Sequence, residues 1–272
     1  MGILSDWLKK ASGIQRASQE KHESDEPLKL NANVTNTVAR IIQSEADLKS
    51  ISTKSIVCNG QKMPINWHKV VLWSDLNGFR YENNCYKTQF HRSPQMLVAH
   101  WDGCLSTNSM VKVTKERGLS VHFGIDNDGT IFQMLDTKDI AWHAKGVNNV
   151  SIGVEISNGF MLKYNDYYKK MGFGPRDIVQ TDIVHMNNIG PHLDFYPIQK
   201  QALKALIEAV HAAHNIPLEV PKKDGIYLKG VSKEVVDCTF KGVVGHFHIT
   251  TNKIDPGSLP IDEIVEEIKN ES

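Results

Sequence analysis

Short apolar segments with the patterns of buried strands constrain the fold of this 272-residue chain more than any other feature. Residues 96–99 form a continuous apolar run, which is typical of a buried strand. Residues 120–126 and 130–134 flank an Asn-Asp-Gly turn and predict a strand, a tight turn and a returning strand. Residues 149–156 alternate apolar side chains with others and predict one more strand.

Helical patterns alternate with these strands. Residues 198–214 carry one apolar face and end at Asn215-Ile216-Pro217, and a last helix is expected after Pro260. The strands and helices together predict an α/β fold, a three-layer domain with a central mixed β-sheet flanked by helices, plus an N-terminal helical extension. The apolar face of the first helix comprises Ala202, Leu203, Leu206, Ile207 and Val210, and that of the last comprises Ile264, Val265 and Ile268.

The chain divides into an extension and one main domain. Residues 1–30 predict an amphipathic helix and a polar linker, residues 31–59 a helical or extended connector, and residues 60–272 the main domain with an insert at residues 160–195. The first helix has three readings: it packs back on the domain, it docks the chain on a larger assembly, or it lies on a membrane surface. A long insert of this kind is often a binding loop, and we expect it to border the binding groove.

One segment, residues 245–257, concentrates chemically useful side chains. It brings together the imidazole of His246, the ammonium of Lys253 and the carboxylate of Asp255. A divalent metal uses the first and third, and a hydrolytic transition state uses a cation. The alternative is a polar surface turn in which these groups do nothing. His100, at the end of a buried strand, would add a rigidly held ligand, and Glu155 is either a solvated edge residue or a base.

In this order, the segments resemble the zinc-dependent N-acetylmuramoyl-L-alanine amidase family, which includes phage-type amidase lysins and the peptidoglycan recognition proteins. The resemblance covers roughly residues 60–268, and residues 162–196 look most like enzymes of tailed phages. The motifs that carry it are His100, the hairpin of residues 121–133, Trp142-His143-Ala144, residues 151–155 and residues 245–257.

The resemblance implies a catalytic centre. His100, His246 and Asp255 would hold one zinc ion, Glu155 would be the general base, and Lys253 would stabilise the oxyanion. The activity implied is hydrolysis of the bond between N-acetylmuramic acid and L-alanine in peptidoglycan. The alternatives are a peptidoglycan-binding module without activity and a structural component of a phage particle.

Four more side chains belong to the same motifs and are tentative substrate contacts: His122, Trp142, His143 and Trp101. Either histidine could instead orient a metal ligand by a hydrogen bond, or be structural. The tryptophans are expected in the cleft wall, where an indole also stacks on sugars.

Two neighbouring positions qualify this interpretation. Some family members carry a tyrosine before the hairpin histidine, but Val121 occupies that position, so Glu155 must act as the base. His248 alternates with His246, and in extended backbone both imidazoles would point the same way. The motif favours His246 as the ligand.

Composition limits the partners. Lys plus Arg equals Asp plus Glu at 31 each, which gives no reason to expect nucleic acid. No apolar run approaches the ~20 residues of a membrane span, and the first residues lack the pattern of a signal peptide. The expected setting is synthesis in a host cytoplasm followed by action on the cell wall, from a phage particle reached through the N-terminal helix or on release at lysis. The four cysteines show no CxxC pairing of the kind that structural zinc sites use, and free thiols fit a reducing cytoplasm better than two disulfides.

Overall fold

The computed structural model of the chain describes residues 55–271. Its strands are β1 (Ser55–Cys58), β2 (Gln61–Pro64), β3 (Val70–Leu72), β4 (Tyr86–Lys87), β5 (Met96–Trp101), β6 (Phe123–Ile125), β7 (Ile131–Gln133), β8 (Ile140–Ala141), β9 (Ser151–Ile156), β10 (Ile178–Val179), β11 (Ile183–Val184), β12 (Asn187–Asn188), β13 (His192–Leu193), β14 (Lys222–Lys223), β15 (Ile226–Tyr227) and β16 (Gly242–Gly245). Its α-helices are α1 (Thr107–Glu116), α2 (Asn165–Lys170), α3 (Pro197–His214), α4 (Lys233–Val236) and α5 (Ile261–Glu271). Short 3-10 helices lie at Asn83–Cys85, Asn148–Val150, Leu162–Tyr164 and His246–His248.

A six-stranded mixed sheet lies at the centre, in the order β16-β5-β9-β6-β7-β3. The first four strands run parallel, β7 is antiparallel to β6, and β3 is parallel to β7. The predicted hairpin is therefore β6–β7. Parallel strands end at the same edge of a sheet, so residues that follow β16, β5 and β9 are brought together there.

Helices cover both faces of the sheet. On one face, Leu97 of β5 and Val243 of β16 line a small cleft with Ile207 of α3, and α5 packs against α3 and β16. On the other face lies α1, so close to β6 that a Cβ added at Gly124 would stand 2.7 Å from the Thr107 side chain. The predicted three-layer α/β architecture is confirmed.

The two predicted helices are also confirmed. Helix α3 begins one residue earlier than predicted and ends at Asn215, whose φ of 54° is left-handed. Helix α5 follows Pro260 as expected. The predicted apolar faces are buried in both, at Ala202, Leu203, Leu206, Ile207 and Val210 in α3 and at Ile264, Val265 and Ile268 in α5.

The predicted amphipathic helix and linker of residues 1–30 lie outside the described residues, as does most of the connector predicted at residues 31–59. The described end of that connector forms β1, which pairs antiparallel with β2. The Gln133 amide ties β1 to the sheet, since it donates to the Val57 carbonyl and accepts from the Val57 N–H, both at 2.7 Å. The domain boundaries stay predictions.

The four cysteines are unpaired, in agreement with the expectation of free thiols. Within residues 55–271, no helix combines the length and the apolar character needed to cross a bilayer.

A buried arginine fastens the predicted insert of residues 160–195 to the rest of the domain. Arg176 is 3% exposed and lies between the rings of Tyr168 and Tyr196, 4.4 and 4.0 Å from their centroids. Its guanidinium donates four hydrogen bonds, to the Asp194 and Ser157 carbonyl oxygens, Gln199 Oε1 and Asn127 Oδ1. The planar, multiply donating guanidinium suits this task in a way that a lysine ammonium does not.

We expect Arg176→Lys to lower the free energy of unfolding by about 2 kcal/mol, because one ammonium leaves several buried acceptors unpaired. The melting temperature should fall by about 4–8 °C, measured by calorimetry. Lys169→Ala is the matched control, since its partner Asp166 has a side chain that is 92% exposed, and the free energy should change by less than about 0.5 kcal/mol. Equal melting temperatures for wild type and Arg176→Lys would contradict the anchoring role.

Candidate metal centre and active site

Three side chains converge at the edge of the sheet where the parallel strands end. His100 lies near the end of β5 and His246 directly follows the neighbouring β16, while Asp255 returns on the loop beyond. The two Nδ1 atoms are 2.9 Å apart, and Asp255 Oδ2 lies 3.1 Å from His100 Nδ1 and 3.0 Å from His246 Nδ1. All three residues are buried. The sequence-predicted ligand set is thus brought to one point.

A chain of hydrogen bonds assigns the tautomer of His100. The Ser151 hydroxyl donates its one proton to the Val147 carbonyl at 2.8 Å, so it can only accept from His143 Nε2, 3.1 Å away. His143 Nδ1 then has no proton and accepts from His100 Nε2 at 3.0 Å. His100 Nδ1 is left with a lone pair that faces His246 and Asp255.

This donor set fits a zinc ion. A lone pair on His100 Nδ1 and an anionic Asp255 oxygen, only 3.1 Å apart, repel each other unless a cation or a proton lies between them. Two imidazole nitrogens and one carboxylate oxygen are typical zinc ligands, with bonds of about 2.0–2.2 Å. Three protein ligands are the number found in catalytic sites, because structural sites use four.

Electrostatics keep the ligands in the metal-binding protonation state. Burial and, next, the nearby His246 lower the pKa of His100 to about 4, so His100 is neutral at pH 7. Burial alone would raise the pKa of Asp255, but the adjacent His246 and His100 outweigh it and hold that pKa well below its usual range. A neutral imidazole and an ionised carboxylate are the forms that bind metal.

A glycine in β9 makes room for the His143 ring. A Cβ at Gly153 would stand 2.6 Å from His143 ring atoms. The Gly153 N–H donates to His122 Nδ1 at 3.0 Å, so His122 Nε2 carries the proton and donates to the Asp139 carbonyl, also at 3.0 Å. Burial and the charge of Arg92 hold the pKa of His122 well below its usual value. His122 is therefore a neutral, buried support, and its Nε2 also lies 3.0 Å from Nη2 of Arg92.

Glu155 stands next to the metal ligands. It pairs in register with His100, and Ile152, Val154 and Ile156 point to the opposite face, as the alternation predicts. Among the described residues, its Oε2 has no hydrogen-bond partner and is shielded from solvent. Burial raises the pKa of Glu155 well above its usual value, assisted by the charge of Asp102. A carboxylate oxygen without a partner beside a ligand cluster can exchange a proton with a reacting group.

Lys253 lies on the loop between His246 and Asp255 and is partly buried. Its charge lowers the pKa of both Glu155 and His100. Its backbone carbonyl accepts a hydrogen bond from His185 Nε2 at 2.8 Å. The insert therefore contacts the loop that carries Lys253.

The tentative substrate contacts differ in exposure. Trp101 is 5% exposed, stacks on Phe160 at 4.7 Å, and packs so tightly under Gly257 that a Cβ there would stand 2.6 Å from the indole. Because Trp101 and His122 have almost no free surface, the structure favours a supporting role for both. Trp142 and His143 are partly buried, and substrate contact stays a prediction for them.

The expectation that His246 and His248 point the same way is wrong, because residues 246–248 form a 3-10 turn instead of extended backbone. His248 Nδ1 accepts from the Gly245 N–H at 2.9 Å, and its Nε2 donates to the Leu228 carbonyl at 2.5 Å. His248 is thus a structural residue outside the ligand cluster.

Three contributors were missed from the sequence. Ser151 fixes the tautomers, His185 contacts the Lys253 loop, and the buried Arg92 donates to the carbonyl oxygens of Thr137, Asn148 and Ser151. Ser151 lies inside a recognised motif, which was a usable signal. His185 lies in the insert that was expected to border the groove, and Arg92 lies in a segment without a pattern that points to the site.

Comparison with known proteins gives one family and several solved structures. The family described as N-acetylmuramoyl-L-alanine amidase matches residues 90–258, more than half of the 272-residue chain. His100, His246 and Asp255 all lie within that range. Comparison with curated protein sequences gives no match.

Among solved structures, the N-acetylmuramoyl-L-alanine amidase LysC from Clostridium intestinale URNW is 18% identical, with a TM-score of 0.43 over 74% of this chain and 97% of that chain. The Ph2119 endolysin from Thermus scotoductus MAT2119 bacteriophage Ph2119 is 16% identical, with a TM-score of 0.42 over 73% and 98%. The amidase AmiD from E. coli, in complex with anhydro-N-acetylmuramic acid-L-Ala-D-gamma-Glu-L-Lys, is 20% identical, with a TM-score of 0.43 over 65% and 58%.

Proposed function

Because the chain belongs to the N-acetylmuramoyl-L-alanine amidase family, we propose that it is a zinc-dependent hydrolase of bacterial peptidoglycan. The bond cleaved is the amide between N-acetylmuramic acid and L-alanine. The observation that carries the proposal is the triangle of ligand atoms from His100, His246 and Asp255, with sides of 2.9 to 3.1 Å. A peptidoglycan-binding module without catalytic activity would not need two imidazoles and a carboxylate buried together in this way.

His100 and His246 would hold the metal through Nδ1, and Asp255 would hold it through its carboxylate. A zinc ion bound there supplies a Lewis acid for the scissile carbonyl and lowers the pKa of a water molecule from about 16 to about 7. His143 and Ser151 keep the Nδ1 lone pair of His100 free for this task.

Glu155 and Lys253 complete the mechanism. Glu155 takes the proton of the attacking water and returns it to the leaving amine of L-alanine, which makes the amine a neutral leaving group. The Lys253 ammonium offsets the negative charge that develops on the carbonyl oxygen. One well-placed donor of this kind stabilises the transition state by about 3 kcal/mol. Since Val121 occupies the tyrosine position of other members, Glu155 is the only proton acceptor that we assign.

We expect Ser151→Ala to weaken zinc binding by about tenfold to a hundredfold, because His143 Nε2 loses its acceptor and the tautomer of His100 is no longer enforced. Competition against a coloured chelator measures the affinity. Ser109→Ala removes a hydroxyl on α1 whose side-chain partner is Ser106, the residue before that helix, and it should leave the affinity unchanged. Equal zinc affinity in Ser151→Ala and wild type would rule out the hydrogen-bond chain as a determinant.

Mass spectrometry of digested cell wall tests the reaction. The expected products are glycan chains with free lactyl groups and peptides that begin with L-alanine. Chelation of the metal should stop their formation, and added zinc should restore it. Glycan chains cut between sugars, or peptides cut between amino acids, would show a different hydrolase.

The biological setting that we propose rests on the sequence. The chain acts on the cell wall as a phage lysin, released at lysis or carried on a particle through residues 1–30. Deletion of residues 1–30 should abolish particle association and leave catalysis unchanged. Particle association that survives this deletion would place the docking element elsewhere.

A further inference from the structure

The loop that carries Lys253 has few connections to the rest of the domain. Thr251 and Asn252 are exposed, and inside the loop Lys253 N–H reaches the Thr250 carbonyl only at 3.3 Å. Among the described residues, a single hydrogen bond joins residues 250–254 to any segment outside residues 246–257. It runs from His185 Nε2 to the Lys253 carbonyl oxygen at 2.8 Å. A side chain of the insert thus supplies the hydrogen bond that ties the Lys253 backbone to a segment outside this loop.

His185 occupies an unusual place for a histidine. It lies with Met186 at the two-residue tip of the β11–β12 hairpin, and both have left-handed backbone, with φ of 52° and 62°. Asn and Gly are usual at such tips, because other residues cost about 1–2 kcal/mol in this conformation. Histidine is among the non-glycine residues that tolerate this conformation best, and here its ring also contacts the Lys253 carbonyl.

The segment around Lys229 anchors the hairpin both at its tip, through the His185 backbone, and at its base, through Asp182. The His185 N–H donates to the Lys229 carbonyl at 2.8 Å, and the Lys229 ammonium pairs with the buried Asp182. In the same segment, residues 228–232, the Leu228 carbonyl accepts a hydrogen bond from His248 Nε2. One segment thus supports both the hairpin and the base of the catalytic loop.

We propose that His185 is a positioning residue for catalysis: by holding the Lys253 carbonyl, it fixes where the Lys253 ammonium stands beside the ligand cluster. The inference rests on the proposed function of Lys253. A carbonyl acceptor requires the proton of His185 on Nε2, as in the neutral Nε2–H tautomer. In Lys253 the carbonyl carbon is bonded to the Cα that carries the side chain. If the carbonyl loses its hydrogen bond, the ammonium is therefore free to move. A displacement of about 1 Å can cost a hundredfold in rate.

Three variants test the role in the full-length, zinc-loaded protein. His185→Ala should lower kcat about tenfold, with KM within about twofold and zinc content unchanged. His185→Gln can donate from its own Nε2 and should recover most of the rate. Met186→Ala changes the neighbouring left-handed residue, whose side chain is 95% exposed, and should leave kcat unchanged. Equal losses in His185→Ala and Met186→Ala would overturn the proposal, because they would trace the effect to the turn.

A double variant separates positioning from general damage. In a Lys253→Ala background, His185→Ala should lower kcat by less than about twofold, because the group that it positions is gone. A further tenfold loss would contradict the proposal.

Hydrogen exchange of the metal-free protein gives a readout that does not depend on activity. The amides of residues 250–255 should exchange about tenfold faster in His185→Ala than in Met186→Ala. Equal exchange rates in the two variants would contradict the proposal that His185 holds this loop. If wild type shows no amidase activity, the proposed function fails, and the exchange experiment still decides whether His185 holds the loop.

Discussion

Replacing Glu155 with glutamine is expected to lower kcat about a thousandfold while zinc stays bound. The carboxylate is the only proton acceptor that we assign beside the ligand cluster, and a well-placed general base contributes about 10²- to 10⁴-fold. Glutamine has nearly the same shape but cannot accept a proton at pH 7. Steady-state kinetics on soluble muropeptides and metal analysis of the same samples measure the two quantities.

Stability supplies an independent readout for the same variant. Burial raises the pKa of Glu155 in the folded state, so in the metal-free protein its ionisation at neutral pH opposes folding. Glu155→Gln removes that penalty and should leave the melting temperature of the metal-free protein equal or higher. Glu116→Gln, on the exposed end of α1, is the control and should match wild type in rate and stability. Full activity in Glu155→Gln would assign the base to another group.

The second large effect is expected at His246. His246→Ala should reduce bound zinc to less than about 0.1 per chain after dialysis, because two ligands do not retain the ion against buffer. Activity should fall at least about a thousandfold, since both the Lewis acid and the activated water are lost. Metal analysis and product mass spectrometry on the same preparation check the two outcomes.

The neighbouring His248 provides the crossed control. His248→Ala should keep zinc but lower the free energy of unfolding by about 2 kcal/mol, because the Gly245 N–H and the Leu228 carbonyl lose a buried partner. His246→Ala should lose zinc, and it should also destabilise the metal-free protein, because the buried Asp255 carboxylate loses the neighbour that most lowers its pKa. A reversed result, with zinc lost in His248→Ala and kept in His246→Ala, would refute the ligand assignment.

The parts of the fold that were predictable depend on local patterns. Helix α3 follows from apolar spacing and from its Asn-Ile-Pro end, and the β6–β7 hairpin follows from its Asn-Asp-Gly turn. His100 was placed correctly at the end of a buried strand for the same reason. Its convergence with His246 was expected only from the resemblance, because a spacing of 146 residues carries no local signal.

The remaining features depend on contacts between distant segments. His185 meets Lys253 across 68 residues, and Arg176 meets Asn127 across 49. Nothing in the neighbouring sequence marks either side chain as bonded. The turn at residues 246–248 was missed because alternation suggested extended backbone, whereas the His248 ring closes the turn onto the Gly245 N–H. At these positions, hydrogen bonds between distant segments or within the turn determine the structure, and local sequence preference does not.

A crystal structure of the zinc-loaded protein, with anomalous data at the zinc edge, tests the central claim most directly. One anomalous peak is expected within bonding distance, about 2.0–2.2 Å, of His100 Nδ1, His246 Nδ1 and the Asp255 carboxylate. His143 should still accept from His100 Nε2. A peak bound through Nε2 of either histidine, a peak at His248, or no peak among the three ligands would contradict it.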